Sequence, residues 1–212
     1  MLTLRWFGIS CFEITNKVTI VTDPHDGESL GLHQPDIKGD LILITHQHFD
    51  HASGREVVSK ADSEIVEESG KWEVKGIEIE GVPYHREEAG ENVFFKFELD
   101  GFRICHLGDL GYSLSSKEVE KIKPVDILLV PVGGTGGHEG REAAKVIEDL
   151  KPRIVIPQHY MVEGMTVPIS SKKEFLQLAI DRGWLVEERK EARIKSLPER
   201  RKIIVLECLS RY

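Results

Sequence analysis

The chain has 212 residues, of which 40% are hydrophobic and 30% charged, enough apolar material to bury a large core without disulfide support and too much for a disordered chain. Its 28 basic and 36 acidic side chains give a net charge of −8, and the basic residues are scattered among acids, which argues against a polynucleotide-gripping surface. No run is long and apolar enough to cross a membrane. Arg5 interrupts the opening segment and no small-residue cleavage site follows, so a signal peptide is not expected and a cytoplasmic location is. Cys11, Cys105 and Cys208 lie far apart, which reads as three buried hydrophobes rather than a disulfide framework or a Cys-based zinc cluster.

Residues 2–23 read as strands, with Leu2, Leu4 and Trp6 alternating, then Phe12 and Ile14, then Val18, Ile20 and Thr22 after a turn at Asn16-Lys17. Residues 24–39 have no period and form a loop. Residues 41–45 are a short unbroken apolar run, as in a strand buried on both faces. After the His-rich segment that follows, residues 52–56 look like the start of a helix. Residues 72–82 alternate about a Gly turn and predict a hairpin. A second hairpin joins 93–99 to 102–107 through Asp100-Gly101, which suits the tight primed turn. Ser115 and Glu118 have capping-box spacing for a helix. Residues 125–132 predict a buried strand, 138–152 a helix ending before Pro152, 153–159 a strand, Ser171 to Glu174 the cap of a helix through Asp181, and 201–209 a last strand. Many strands with interspersed helices and no linker predict one α/β or α+β sandwich domain over 1–212.

The segment Thr45-His46-Gln47-His48-Phe49-Asp50-His51 carries the chemistry. Three imidazoles and a carboxylate packed so closely are costly in a core, because each needs a partner. In a tight loop after a buried strand they can converge on cations, and imidazole with carboxylate suits zinc, iron or manganese. His85, expected at a Pro-Tyr-His turn, Asp109 in His-Leu-Gly-Asp-Leu-Gly, and His159 each fall at or just past a predicted strand end, where loops of such sheets gather.

The order H-x-H-x-D-H, isolated His, G-D-x-G and late His resembles the metallo-β-lactamase superfamily over nearly the whole chain. The segments at 6–14, 18–24, 105–111, 129–134 and 157–161 are most similar to its lactonase-like branch, which includes ascorbate-6-phosphate lactonase. The resemblance implies an αββα sandwich with the site at one edge of two sheets. It implies one metal on His46, His48 and His85, a second on Asp50, His51 and His159, and Asp109 bridging them. It makes Asp23 a supporting acid that orients the metal loop. The cofactors implied are two divalent ions, zinc first, with manganese and iron as alternatives. The mechanism implied is attack by a metal-bridging hydroxide on a small ester, lactone or phosphodiester.

Zinc β-lactamases commonly carry Cys where Asp109 stands, which argues against antibiotic hydrolysis. His48 occupies the place of a Glu in flavo-diiron proteins. His25 departs from the relatives' usual aromatic or aliphatic residue, and either lines the mouth of the site or is a solvated loop residue. Arg86 reads as a surface residue with phosphate binding as the alternative. The 24–38 loop and residues 161–168 are expected pocket walls. His138, in the loop Gly133-Gly134-Thr135-Gly136-Gly137-His138, is a candidate general acid, with a solvated helix cap as the competing reading. Three rivals to a dinuclear hydrolase are a mononuclear iron oxygenase, separable by metal count, an RNA-processing nuclease, at odds with the acidic charge, and a binding module, at odds with the full ligand set.

Overall fold

The turn chemistry read from the sequence is realised where it was most specific. In the computed structural model, which describes residues 1–86 and 90–211 apart from the side chains of 85, 86, 90 and 91, β6 (Gly70–Val74) and β7 (Ile77–Arg86) turn at Lys75-Gly76, and β8 (Gly90–Leu99) and β9 (Phe102–His106) at Asp100-Gly101. All four turn residues have positive φ, as the primed turn demands.

Strands β1 (Leu2–Trp6), β2 (Phe12–Thr15) and β3 (Thr19–Thr22) pair antiparallel, and β4 (Gly39–Leu43) and β5 (Ser59–Val66) continue from β3 in parallel. With β13 (Ala192–Ile194) on β1, they form a six-stranded sheet. The remaining strands form an eight-stranded sheet, β12-β14-β11-β10-β9-β8-β7-β6, where β10 is Ile127–Pro131, β11 Ile154–Gln158, β12 Leu185–Arg189 and β14 Lys202–Leu206. The inward residues of both sheets, among them Leu4, Trp6, Phe12, Phe95, Ile104 and Ile156, share one core. Strands β10 and β11 are buried on both faces, as unbroken apolar runs require. Helix α4 (Glu139–Leu150) covers the outer face of the larger sheet with Ala143, Val146, Ile147 and Leu150. Val58, on the helical turn α2 (Arg55–Val58), packs with Val21, Ile42 and Ile44 outside the smaller sheet. The sandwich expected from the sequence is therefore present, and among the described residues no helix is long and apolar enough to cross a membrane.

Several boundaries differ from expectation. The first helical turn, α1 (Phe49–Ala52), starts inside the His-rich motif with His48 at its N-cap, rather than after the motif. Helix α3 (Ser116–Ile122) has the capping box of Ser115 and Glu118, but α5 (Lys173–Asp181) begins from Lys172, with Ser171 Oγ accepting from the N–H of Lys173 at 3.5 Å and Glu174 paired with Arg141. Pro83-Tyr84-His85 is no turn but the end of β7, beyond the reach of β6, where a residue without an N–H is tolerated on the open side. The polar strand β5 and the short β12 and β13 had no apolar alternation to announce them.

Topology sets the site. Parallel β3 and β4 deliver Asp23 and Thr45 to one edge. Parallel β9, β10 and β11 deliver Asp109, the glycine loop and His159 to one edge of the other sheet. Strand β7 is antiparallel to β8, and β8 to β9, so β7 runs with β9 toward that same edge. The edges are joined by the N–H of Val93 donating to the carbonyl of Thr45 (3.0 Å) and that of His159 to Ile9 (2.8 Å).

Candidate metal centre

A single buried carboxylate organises the His-rich loop. Asp23, at φ 39° immediately after β3, is fully buried. Its Oδ1 accepts from the N–H of Thr45 (2.7 Å), and its Oδ2 accepts from His106 Nε2 (2.7 Å) and lies 3.0 Å from His51 Nδ1. The Thr45 hydroxyl also donates to it, at 2.9 Å from Oδ2. An ionised carboxylate can only accept, so His51 donates from Nδ1 and His106 from Nε2. The Thr45 Oγ1, its own proton spent on Asp23, accepts from His46 Nδ1 at 3.1 Å. Both imidazoles are thereby oriented with Nε2 forward, and neither Nε2 has a hydrogen-bond partner although both are buried. Burial opposes ionisation of Asp23, but His51 and His106 outweigh it and hold the carboxyl far below the usual range. Burial likewise works against a proton on His51, yet Asp23 raises that imidazole to about 9. His46, held down by burial and by His51, falls to about 4.

What the two Nε2 atoms face is carboxylate. His46 Nε2 is 3.7 Å from Asp109 Oδ2, His51 Nε2 is 3.7 Å from Asp50 Oδ2, and His159 Nε2 is 3.6 Å from the same oxygen. These separations are too long for direct hydrogen bonds. They are close to the spacing of ligand atoms on one cation, since two donors about 2.1 Å from a tetrahedral ion lie about 3.4 Å apart. Two groups converge in this way, His46 with His51 and Asp109, and Asp50 with His51 and His159. The residues present therefore fit divalent metal, with two buried imidazole nitrogens that lack a hydrogen-bond partner converging on carboxylates.

Of the residues anticipated from sequence, His46, Asp50, His51, Asp109 and His159 come together here. His48 is exposed, its ring centred 4.5 Å from that of His46. The side chains of His85 and Arg86 lie outside the described residues, so the expectations placed on them rest on the sequence. His25 is not a solvated loop residue: it is fully buried, its Nε2 is 3.0 Å from the carbonyl of Phe7, and it does not line the cleft. Burial depresses it to about 4. The three cysteines are free and buried, as expected.

The network also uses residues that the motif did not flag. His106 is one, and its only sequence signal was its place three residues before Asp109. Tyr84, stacked on Phe94 with ring centroids 3.9 Å apart, donates its hydroxyl to Asp109 Oδ1 at 3.3 Å. Burial and Asp109 both push that hydroxyl's pKa up, which keeps it a donor. Gly108 has φ +56°, and a Cβ there would fall 2.7 Å from Thr45 Oγ1, so only glycine lets the Asp109 turn approach the His loop. Its carbonyl accepts from Gln158 Nε2 (2.6 Å) and from Ser10 Oγ (3.2 Å). His159 itself sits at φ 52°, a left-handed conformation that turns the chain out of β11 and aims the ring at Asp50.

The centre opens into a cleft of about 340 Å³, lined by His48, Phe49, Asp50, Asp109 and His159 on the metal side and by Gly133–Gly136, His138, Glu139, Val167 and Ile169 on the other. Of the two expected walls, the segment after His159 contributes directly through Val167. The 24–38 loop instead backs it, with Leu30 and Leu32 packed beside Ile169 and Val167. His138 is exposed at the N-cap of α4, and its Nδ1 bonds to the carbonyl of Gly136 at 3.1 Å.

Comparison with known proteins agrees with this geometry. A family model described as the β-lactamase superfamily domain matches residues 3–159. A UPF0173 metal-dependent hydrolase from Thermococcus onnurineus is 32% identical over 220 residues, spanning 88% of this chain and 96% of the relative. One from Pyrococcus abyssi is 33% identical over 219 residues, with the same spans of 88% and 96%. The crystal structure of a metallo-β-lactamase superfamily protein from Thermotoga maritima, for which zinc-dependent hydrolysis has been suggested, superposes with a TM-score of 0.80 at 32% identity, covering 97% of this chain and 98% of that one.

Proposed function

The chain belongs to the metallo-β-lactamase superfamily, among its UPF0173 metal-dependent hydrolases, and on that footing we propose that it hydrolyses a small ester, lactone or phosphodiester at a pair of divalent cations, zinc before manganese or iron. The observation that carries this reading is the pair of buried, partnerless Nε2 atoms of His46 and His51 facing Asp109 and Asp50. In the proposed assignment His46, His48 and His85 hold one ion, Asp50, His51 and His159 the other, and Asp109 lies between. Bound there, the ions would supply Lewis acidity and a water acidic enough to act as nucleophile near neutral pH.

The chain's own residues do the rest. Asp23 fixes the tautomer of His51 directly and that of His46 through Thr45, so that neither ring has to be reoriented during turnover. Tyr84 steadies one oxygen of Asp109. When the bond between the acyl carbon or phosphorus and the leaving oxygen breaks, that oxygen needs a proton; His138 lines the cleft with Nδ1 tied to the Gly136 carbonyl, and as the imidazolium it carries a second proton, on Nε2, to give. Among the described residues the cleft is lined by no Lys or Arg, which favours substrates of low charge such as lactones and monoanionic diesters. The lactonase-like segments of the sequence favour the lactone arm.

A panel on zinc- and manganese-loaded protein tests the reading. γ-Butyrolactone or bis(p-nitrophenyl) phosphate should be turned over, and β-lactams at least about a hundredfold more slowly, about 2.7 kcal/mol in barrier. Comparable rates on β-lactams, or no turnover of any lactone, ester or diester, would overturn it.

A further inference from the structure

The glycine-rich loop opposite the metal ligands is built around a carboxylate that the proposed hydrolysis does not use. Glu139, the first residue of α4, is 6% exposed and lines the cleft. Its Oε1 accepts from the N–H of Gly136 at 2.6 Å, while His138 Nδ1 donates to the carbonyl of the same residue, so the Gly136 peptide is clamped from both sides. Gly134 and Gly136 leave this side chain room against the loop. A Cβ on Gly134 would fall 2.7 Å from Glu139 Oε1, and one on Gly136 would fall 2.9 Å from it. The base of the loop is fixed to the metal side, because the N–H of Gly133 donates to the carbonyl of His159 at 3.1 Å.

The second oxygen, Oε2, is buried without a hydrogen-bond partner. A buried carboxylate oxygen with nothing to accept from is a cost the fold would shed unless something arrives to satisfy it. Surrounding backbone N–H groups hold the group ionised despite burial, so it offers acceptance only.

We propose that Glu139 is a specificity-determining residue whose Oε2 receives a hydrogen-bond donor, a hydroxyl or ammonium group, carried by the substrate beside its scissile bond. This rests on the reading of the cleft as a hydrolase active site and narrows its substrates to small lactones or esters bearing such a donor. A hydroxyl satisfies Oε2 with one hydrogen bond, and an ammonium adds charge.

The test separates recognition from turnover. Glu139→Gln keeps a carbonyl oxygen for Gly136 and places an NH₂ donor where Oε2 was. Binding is read by NMR titration of metal-loaded protein with pyrrolidin-2-one and 3-aminopyrrolidin-2-one, lactams too inert to be consumed. Turnover is read with γ-butyrolactone and its α-hydroxy and α-amino derivatives. In the native protein the amino lactam should bind at least roughly tenfold more tightly than the parent, and one or both donor-bearing lactones should show a similar advantage in kcat/KM. In Glu139→Gln both advantages should shrink below about threefold while metal content and melting temperature hold. Which lactone is preferred identifies the donor as hydroxyl or ammonium. If the hydroxyl is the natural donor, the matching 3-hydroxy lactam carries the binding arm. An advantage of the same size in the variant, or none in the native protein for either donor, would overturn the assignment of Glu139 even if lactones are hydrolysed. Discrimination in binding without any lactone turnover would instead leave Glu139 standing and overturn the proposed reaction.

Discussion

Two loops border the cleft, and they are held by opposite means. The loop Thr45–His51 is held by side chains, with buried Asp23 gathering Thr45, His51 and His106. The loop Gly133–His138 is held at its own peptides: a Cβ on Gly133 would fall 2.4 Å from the carbonyl oxygen of Ser170, the N–H of Gly134 donates to Ser170 Oγ at 3.1 Å, and the Gly136 peptide is clamped by His138 and Glu139. In the first loop Thr45, His46 and His51 all hang on one buried carboxylate, directly or through Thr45 Oγ1, so a substitution there propagates through the set. In the second, each side chain bonds a single peptide group, so one can be changed with fewer consequences for the rest. That division suits an enzyme whose chemistry is invariant and whose substrate is set elsewhere.

The sharpest way to break the first loop is Asp23→Ala. It leaves His51, His106 and Thr45 without their shared acceptor, and removing one partner of a buried ionic set costs about 3–5 kcal/mol. Chemical denaturation should show that loss, and elemental analysis a fall in bound metal. Unchanged stability would mean that the loop is held by something other than Asp23. Asp109→Ala should lower kcat by roughly 10³-fold or more, about 4 kcal/mol, by the loss of charge stabilisation at the reacting oxygen. The sheets do not depend on it, so circular dichroism should be unchanged, and near-normal rates would contradict its placement between the ions.

His25 sharpens the comparison from beneath the first loop. Its native pKa is about 4 because burial disfavours the imidazolium, whereas an unfolded chain protonates it near 6.5. The unfolded state therefore binds the extra proton between those values. The contribution of neutral His25 is complete above about pH 6.5 and is lost progressively down to about pH 4, roughly 3 kcal/mol in all. Denaturation midpoints across that window should fall with pH, and His25→Gln should remove one proton's worth of the slope. An identical slope in the variant would show that His25 does not titrate on unfolding.

The second loop should yield more selectively. His138→Ala is expected to slow substrates with alkoxide leaving groups by roughly 10²-fold and nitrophenolate esters hardly at all, with metal content unchanged. Equal losses on both would make His138 a positioning residue, and no loss on either would return it to the helix cap alone.

These differences also track what could be read from the chain. The His-x-His-x-Asp-His order is local, and a short loop after a buried strand leaves such residues few other arrangements. The Asp100-Gly101 turn and the Ser115–Glu118 cap were legible for the same reason, since each is a short-range device. Strand β5 was not legible, because an edge strand exposed along most of its length carries no apolar alternation. Pro83 suggested a turn, and only the open side of β7 explains how it fits a strand. His106 and Tyr84 went unread because their roles depend on partners brought from distant strands: His106 meets Asp23 across the two sheets and Tyr84 meets Asp109; Glu139, bonded three residues back to Gly136, went unread because a Glu at a helix start reads as an ordinary first-turn acid. Whether His25 was solvent-facing or interior depended on the packing of Phe7, which no local pattern encodes.

The central claim is that the edge of the sandwich binds a pair of ions. Elemental analysis of protein reconstituted with excess zinc or manganese and then freed of loosely held metal tests it most directly. Two metal ions per chain are expected, falling toward one in Asp50→Ala, where the proposed second site loses its carboxylate. A single ion per chain under saturating conditions would contradict it, and would point to the mononuclear iron chemistry that the same ligands can support.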